Sequence, residues 1–295
     1  MKVLCIGSMN LDFVYSVDHI VAPGETEASY SLDVFLGGKG MNQSVALAKA
    51  GAETYHAGLI GEDGKVFLDA CVEHNVNGKH IKVVEGKTGH AIIQRDKNAQ
   101  NCILLFGGAN QKLTEEYVDG VLECFEAGDI LLLQNEVNML PYIVDKAYEK
   151  GMQIAINPSP YDEKLDAVDM SKISFFLLNE VEGEQVTGHD DPDYIIANLL
   201  GLYPEAKIVL TLGKNGAVYA DKNQKHYQPI FKVQAVDTTA AGDTFTGYFL
   251  AAVSEGMEVP KALRMAAKAS SIAVTREGAV PSIPLRAEVE AALAE

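Results

Sequence analysis

Positive charge is scarce in this chain: 24 Lys and Arg stand against 41 Asp and Glu, a formal net charge of −17. Such a surface repels a polyphosphate backbone and an anionic membrane, so neither nucleic acid nor membrane is expected among its partners. A nucleotide stays admissible, because phosphate binding is decided locally by N–H groups, a few cations and a metal ion. Cysteine is scarce as well. Cys5, Cys71, Cys102 and Cys124 are scattered, form no Cys-x-x-Cys pair and do not group with the seven histidines in a metal-like pattern. They read as reduced, mostly buried thiols. No apolar run approaches membrane-spanning length. The segment Met1 to Gly7 enters strand-like sequence without the charged stretch, apolar run and small-residue cleavage site of a signal peptide, so a cytoplasmic location is expected. Internal repeats and low-complexity linkers are also lacking. So are two common nucleotide fingerprints: Gly86-Lys87-Thr88 has the ending of a phosphate-binding loop, but Ile81 stands where its first glycine is required, and no glycine segment has the dinucleotide spacing.

Short apolar runs at Val3 to Ile6, Ile130 to Leu133, Ile154 to Ile156, Phe175 to Leu178 and Ile208 to Leu210 have the character of strands buried on both faces. Helical stretches lie between many of the runs, at Asn42 to Ala50, Lys65 to Glu73, Thr114 to Glu126, Pro141 to Lys150 and Asp193 to Leu202. That alternation predicts an α/β fold with a mainly parallel sheet covered on both sides. Two segments break the rhythm. Asp12 to Leu36 alternates over two extended pieces around Ala22-Pro23-Gly24, and Gly89 to Phe106 places a polar turn, Arg95 to Asn101 with Ala99 in it, between two apolar pieces. Together they predict a small sheet standing off the main body.

Chemistry concentrates at the ends of these elements. Phe245, Tyr248, Phe249 and Ala252 form the stripe of an amphipathic helix whose first turn holds Gly242 and Asp243. Small residues at Ala240, Ala241 and Gly242 let an anion approach the unpaired N–H groups there, where the helix dipole also favours negative charge. Asp243 in that mouth can take a proton from a hydroxyl attacking a phosphoryl group, or can simply favour the dipole. Gly37 to Asn42 follows a strand and opens a helix, offering Lys39 and Asn42 to a ligand, or forming an ordinary glycine turn. Asn10 and Asp12, two apart on a strand, share one face and suit neighbouring hydroxyls of a sugar. Glu136 falls near the carboxyl end of a buried strand, where ligands of open parallel sheets collect, although a solvated acid is the plain alternative. Asn179-x-x-Glu182 offers hard oxygens for magnesium and fits an ordinary capping box equally. Thr211 to Gly216 is a glycine turn at a strand end, or a hairpin turn into Ala217-Val218-Tyr219.

The run Asp237 to Phe245, Asp-Thr-Thr-Ala-Ala-Gly-Asp-Thr-Phe, resembles the C-terminal signature of the ribokinase-like (PfkB) carbohydrate kinases, and the resemblance extends over essentially all 295 residues. It implies one three-layer α/β/α kinase domain over 1–295 with a discontinuous β lid from about 12–36 and 89–106. It further implies ATP-dependent phosphorylation of the 5-hydroxyl of D-ribose, with Asp243 as base and Ala240, Ala241 and Gly242 as anion hole. Asn10, Asp12, Gly38, Lys39, Asn42 and Glu136 would contact the sugar, with Asp243 at the accepting hydroxyl. Asn179, Thr211, Gly213, Gly216 and Gly242 would serve ATP, and Glu182 would hold Mg2+ through water. A monovalent cation, K+, would sit among Asp237, Thr239, Ala273, Arg276, Gly278 and Ser282, mostly on backbone oxygens, where the plain reading is a helix end and turn. Ala267 departs from the Asn or His that several members place against adenine. The lid often provides a dimer contact in this family, so a homodimer is expected. Rival readings are a kinase acting on deoxyribose, a nucleoside or a ketose sugar, and a non-catalytic sugar or nucleotide sensor. An amide placed for an additional hydroxyl favours ribose over its deoxy form, and an intact base argues against a sensor.

Overall fold

The computed structural model describes residues 1–98 and 100–294; Ala99, in the turn expected between Arg95 and Asn101, lies outside the described residues. The strands are β1 (Val3–Ile6), β2 (Asn10–Ser16), β3 (Ser31–Gly37), β4 (Thr54–Ile60), β5 (Asn77–Val83), β6 (Gly89–Arg95), β7 (Asn101–Phe106), β8 (Ile130–Gln134), β9 (Gln153–Asn157), β10 (Phe175–Asn179), β11 (Lys207–Thr211), β12 (Ala217–Ala220) and β13 (Lys225–Gln228). The α-helices are α1 (Lys39–Lys49), α2 (Val66–Glu73), α3 (Glu115–Leu122), α4 (Leu140–Glu149), α5 (Glu180–Thr187), α6 (Pro192–Leu202), α7 (Ala241–Ser254), α8 (Val259–Ala273) and α9 (Arg286–Ala294).

Nine strands form the main sheet in the order β13-β12-β11-β10-β9-β8-β1-β4-β5, parallel from β11 to β5 and closed at the other edge by the antiparallel β12 and β13. Period-two alternation divides its side chains between two cores. Val3, Cys5, Ile130 and Leu132 pack beneath α1, α7 and α8, while Leu4, Ile6, Leu131 and Leu133 pack beneath α3, α4 and α6. The result is the three-layer α/β/α arrangement expected from the sequence. β1 lies inside the sheet; the chain leaves it toward β4 and β5 on one side and fills β8 to β13 on the other. The crevice outside the carboxyl ends of β1 and β8 is therefore a topological switch point, the usual ligand position in such sheets.

The second sheet has the order β3-β2-β6-β7, with β2 and β6 parallel and the outer pairs antiparallel. It begins at Asn10 and runs to Gly37, slightly beyond the expected Asp12 and Leu36, because those two residues are themselves in register. Helix boundaries differ more. α1 starts at Lys39 instead of Asn42, since Gly38 turns the chain at φ +91° and the Glu136 carboxylate accepts the Lys39 N–H at 3.0 Å. α3 ends at Leu122, short of Glu126, where the chain tightens into i to i+3 bonds from Cys124 and Phe125. Cys5 and Cys71 are buried as expected, but Cys102 on β7 and Cys124 beyond α3 are exposed, because the lid edge and the helix end have nothing packed over them at those points.

Candidate active site

The mouth of α7 is built by a residue without a favourable alternative: Ala240 takes φ +56°, turning the chain into the helix so that its carbonyl accepts the Thr244 N–H at 2.8 Å. The Ala241 N–H donates to the Thr238 carbonyl at 3.2 Å. Among the described residues the N–H groups of Ala240, Gly242 and Asp243 have no acceptor, and a Cβ added at Gly242 would meet no atom within 4 Å. Room for an anion and donors to bind it thus coincide. The three-residue anion hole expected from sequence has two free donors, Ala240 and Gly242, with that of Asp243 beside them.

Asp243 is 8% exposed, and each of its oxygens accepts from an amide of α1: Oδ2 from Asn42 Nδ2 at 3.0 Å and Oδ1 from Gln43 Nε2 at 2.8 Å. The carbonyl Oδ1 of Asn42 is buried without a partner among the described residues. Lys39, the first residue of α1, lines the same cleft of about 220 Å³ with Asp243, Asn179, Glu182, Thr211 and Gly242. Burial alone would lower its ammonium, but the carboxylates of Asp243, Glu136 and Glu182 outweigh that and raise it. Lys39 is therefore a firmly charged cation beside the anion mouth.

A second cleft, of about 250 Å³, adjoins on the lid side and is lined by Asn10, Leu105, Asn110, Asn135 and Glu136 among others. Asn110 Nδ2 donates to Asn10 Oδ1 at 2.8 Å, which leaves the Asn10 amino group to face a ligand. Glu136 accepts through Oε2 from the Ser8 hydroxyl and from the Lys39 N–H; burial pushes its carboxyl up despite the Ser8 bond and the Lys39 charge. Asp12 packs against Gly37 so closely that a Cβ there would lie 2.0 Å from its Oδ2. Gly38 is confined likewise, with an added Cβ 2.9 Å from the Asn10 nitrogen.

On the opposite side, Asn179 and Glu182 form a complete capping box: Asn179 Oδ1 accepts the Glu182 N–H at 2.8 Å and Glu182 Oε2 accepts the Asn179 N–H at 3.0 Å. The plain alternative for this motif is thus realised, yet it uses only Oε2; Oε1 of Glu182 has no hydrogen bond among the described residues and its residue lines the cleft. Thr211 lines the cleft too, whereas Gly213 and Gly216 belong to the turn joining β11 to β12 and are not among the lining residues. Gly216, at φ +97°, is fixed by packing, since a Cβ would lie 2.2 Å from the Gln228 carbonyl. Asp237 bridges two loops. Its Oδ1 accepts from the Thr239 N–H and hydroxyl at 2.8 and 2.6 Å, and Oδ2 accepts the Gly278 N–H at 3.0 Å. Ala273 ends α8, the Ser282 hydroxyl donates to the Ala279 carbonyl at 2.7 Å, and the Arg276 guanidinium pairs with Glu288. Ala267 is half-buried on α8.

Sequence reasoning missed Gln43, Asn110 and Asn157. Asn157 ends β9 as Asn179 ends β10, so the rule that singled out polar residues after apolar strands applied to it equally.

The family model for "pfkB family carbohydrate kinase" matches residues 1–286. The chain belongs to the pfkB family. A ribokinase of Haemophilus influenzae is 35% identical over 292 residues, covering 96% of this chain and 95% of that one. A deoxyribokinase of Salmonella typhi is 30% identical over 295 residues, 96% of each. The solved structure of Arabidopsis thaliana ribokinase with ribose and ATP superposes with a TM-score of 0.87 at 28% identity, covering 99% of this chain and 98% of that one. In this pfkB member the lid strand β2 supplies Asn10 and Asp12, and the main body supplies Lys39, Glu136 and Asp243.

Burial, and after it the Glu136 carboxylate, push the Asp12 carboxyl up to about 7. Below that pH the group is neutral and loses acceptor capacity; above it the carboxylate accepts fully, and the expected place of Asp12 among the sugar contacts makes that difference measurable. The expected outcome is a kcat/KM for sugar that rises with pH through about 7, and an Asp12→Asn enzyme that is weaker and loses this limb. A profile that is flat in the wild type, or unchanged by the substitution, overturns the assignment.

Proposed function

We propose that the enzyme transfers the γ-phosphoryl group of ATP to the 5-hydroxyl of D-ribose, giving ribose 5-phosphate and ADP. The observation that carries this reading is the Asp243 carboxylate lining one cleft with the free N–H donors of Ala240 and Gly242, beside a second, lid-side cleft lined by Asn10 and Glu136. Asp243 takes the hydroxyl proton as that oxygen bonds to the γ-phosphorus and the bond to the β,γ-bridging oxygen breaks. The N–H groups of Ala240 and Gly242, with Lys39, receive the charge on the phosphoryl oxygens. Similarity to the ribokinase solved with ribose and ATP supports both substrates. Thr211 and Asn179 lie on the side of the cleft where the nucleotide would enter; Ala267 offers adenine no polar group.

Magnesium, when bound, offsets phosphate charge. Glu182 suits it through the free Oε1 and intervening water, while Asn179 has its side-chain oxygen committed to the capping box. Glu182→Gln should raise the Mg2+ concentration needed for half-maximal rate, and an unchanged requirement would remove Glu182 from that role. A homodimer is supported by the lid face opposite Asp12, where Leu32, Val34, Ile92, Leu104 and Phe106 are exposed. Sedimentation should show a dimer that Leu104→Glu weakens; a monomeric wild type would end that proposal.

Substrate choice is tested by ADP release over a panel of sugars and nucleosides. Ribose should have the highest kcat/KM, with deoxyribose lower by about tenfold or more, since its missing hydroxyl strands a buried polar group. A clear win for deoxyribose, fructose or a nucleoside would reassign the substrate within the family. Asp243→Asn should lower kcat by about 10²- to 10⁴-fold with both substrates still bound. Near-normal turnover of the folded variant excludes Asp243 as the base.

A monovalent cation, K+ by preference, is proposed at the Asp237 junction, where one carboxylate already ties the loops of Thr239 and Gly278 together. Ordering there shapes the N–H groups at the start of α7. Replacing sodium by potassium at constant ionic strength and magnesium should raise the rate, and Asp237→Ala should remove the response. Matched ionic strength is essential for a chain of charge −17. Equal rates in both salts, before and after the substitution, would leave the junction a structural turn.

A further inference from the structure

Gln43 is fully buried one residue along α1 from Asn42, with no need of solvent and no contact that its helix requires. Its Nε2 donates to Asp243 Oδ1 at 2.8 Å and more weakly to Asn157 Oδ1 at 3.4 Å, while its Oε1 accepts from Gln134 Nε2 at 2.7 Å. Asn157 is anchored in turn: its Nδ2 donates to the Leu177 carbonyl at 2.9 Å and to Glu182 Oε2 at 3.1 Å. The direction of this chain is forced from both ends. The oxygens of Asp243, Glu182 and the Leu177 carbonyl are the acceptors here, so Gln43 and Asn157 both turn their amino groups toward them. Gln134 then holds the remaining oxygen of Gln43, and the amide cannot flip without leaving buried groups unpaired.

We infer that Gln43 is a positioning residue for the proposed base, fixing the rotation of the Asp243 carboxylate so that a free lone pair meets the sugar hydroxyl. This rests on the reading of Asp243 as base. Asn42, the other donor to Asp243, also belongs to the expected sugar-binding set, so Gln43 is the donor to the carboxylate that lies outside that set. A base held in one rotation keeps the hydroxyl, the carboxylate and the phosphorus aligned; one free to rotate spends most of its time misaligned.

The test is a double-substitution cycle on the full-length enzyme with ribose and ATP. Gln43→Met keeps the length and volume of the side chain and removes the donor. It should lower kcat about tenfold to hundredfold, leave both KM values within about threefold, and have less than about threefold further effect on Asp243→Asn. A defect of packing alone would instead lower the rate by the same factor on both backgrounds. If the Met variant does not fold, Gln43→Leu, which likewise lacks the donor and adds no charge beside Asp243, should give the same pattern. A kcat within about threefold of wild type in either folded variant overturns the inference, as does equal loss on the two backgrounds. Near-normal turnover of Asp243→Asn would overturn the base assignment itself, and with it any base for Gln43 to position.

Discussion

The site depends on how closely α7 approaches α1. An added Cβ at Gly247 would lie 2.4 Å from the Ala46 Cβ and 2.8 Å from the Leu47 nitrogen, so only glycine lets the two helices meet at this separation. A similar constraint ties α1 to the sheet, where a Cβ at Gly40 would lie 2.5 Å from the Ser8 nitrogen. With both contacts made, the first turn of α1 is wedged between the carboxyl end of β1 and the start of α7. Asn42 and Gln43 then reach Asp243 across about 200 residues of sequence. A side chain at Gly247 would part the two helices, and one at Gly40 would lift α1 from the end of β1, by more than the tolerance of these hydrogen bonds.

A chain with 17 excess negative charges nevertheless offers a place for a triphosphate. Charge is organised at two scales. Overall repulsion acts through solvent and is screened within about 10 Å at ordinary salt, whereas the cleft acts through oriented groups in contact with the ligand. Asp243, Glu136 and Glu182 keep Lys39 charged, and each of those carboxylates is already supplied with donors. Their negative charge is spread over hydrogen bonds before any phosphate arrives, while the amides of Ala240 and Gly242 stay uncommitted. The carboxylates can therefore line the cleft without closing its mouth to an anion.

Much of this was legible from local signals. Val3 to Ile6 is a strand with the expected bounds, and the lid hairpins follow the two segments whose alternation broke the βα rhythm. Asp243 was legible because a helix stripe, three small residues and an acid fall together in one turn. What the sequence could not display were groups whose role comes from a distant partner. Gln43 inside an amphipathic helix is an ordinary residue until β8 and α7 bring Gln134 and Asp243 to it. For the glycine turn at 213–216 the ATP role came from the resemblance alone, because glycine permits many uses of the backbone; at Gly216 one use that the structure displays is close packing on Gln228. Helix ends moved for a related reason: the carboxylate that accepts the first N–H of α1 belongs to Glu136, in the turn that follows β8.

On the proposed reading, the lid-side cleft is ordered for a polyol before one is present. Asn10 could turn either its oxygen or its amino group toward a ligand, and nothing in β2 alone decides which. Asn110 decides it, because its own Oδ1 accepts the Met9 N–H at 3.1 Å, leaving only its amino group for Asn10 Oδ1. Asn10 must then present a donor beside the acceptor Asp12, while Asn42 keeps a buried carbonyl oxygen without a partner among the described residues. Each hydroxyl of a sugar is both donor and acceptor, so a row of them can meet this fixed sequence of groups in one orientation. A ligand lacking one hydroxyl leaves a buried group unpaired at the full cost of its desolvation, which makes the wall selective through what it leaves unsatisfied as well as through what it binds.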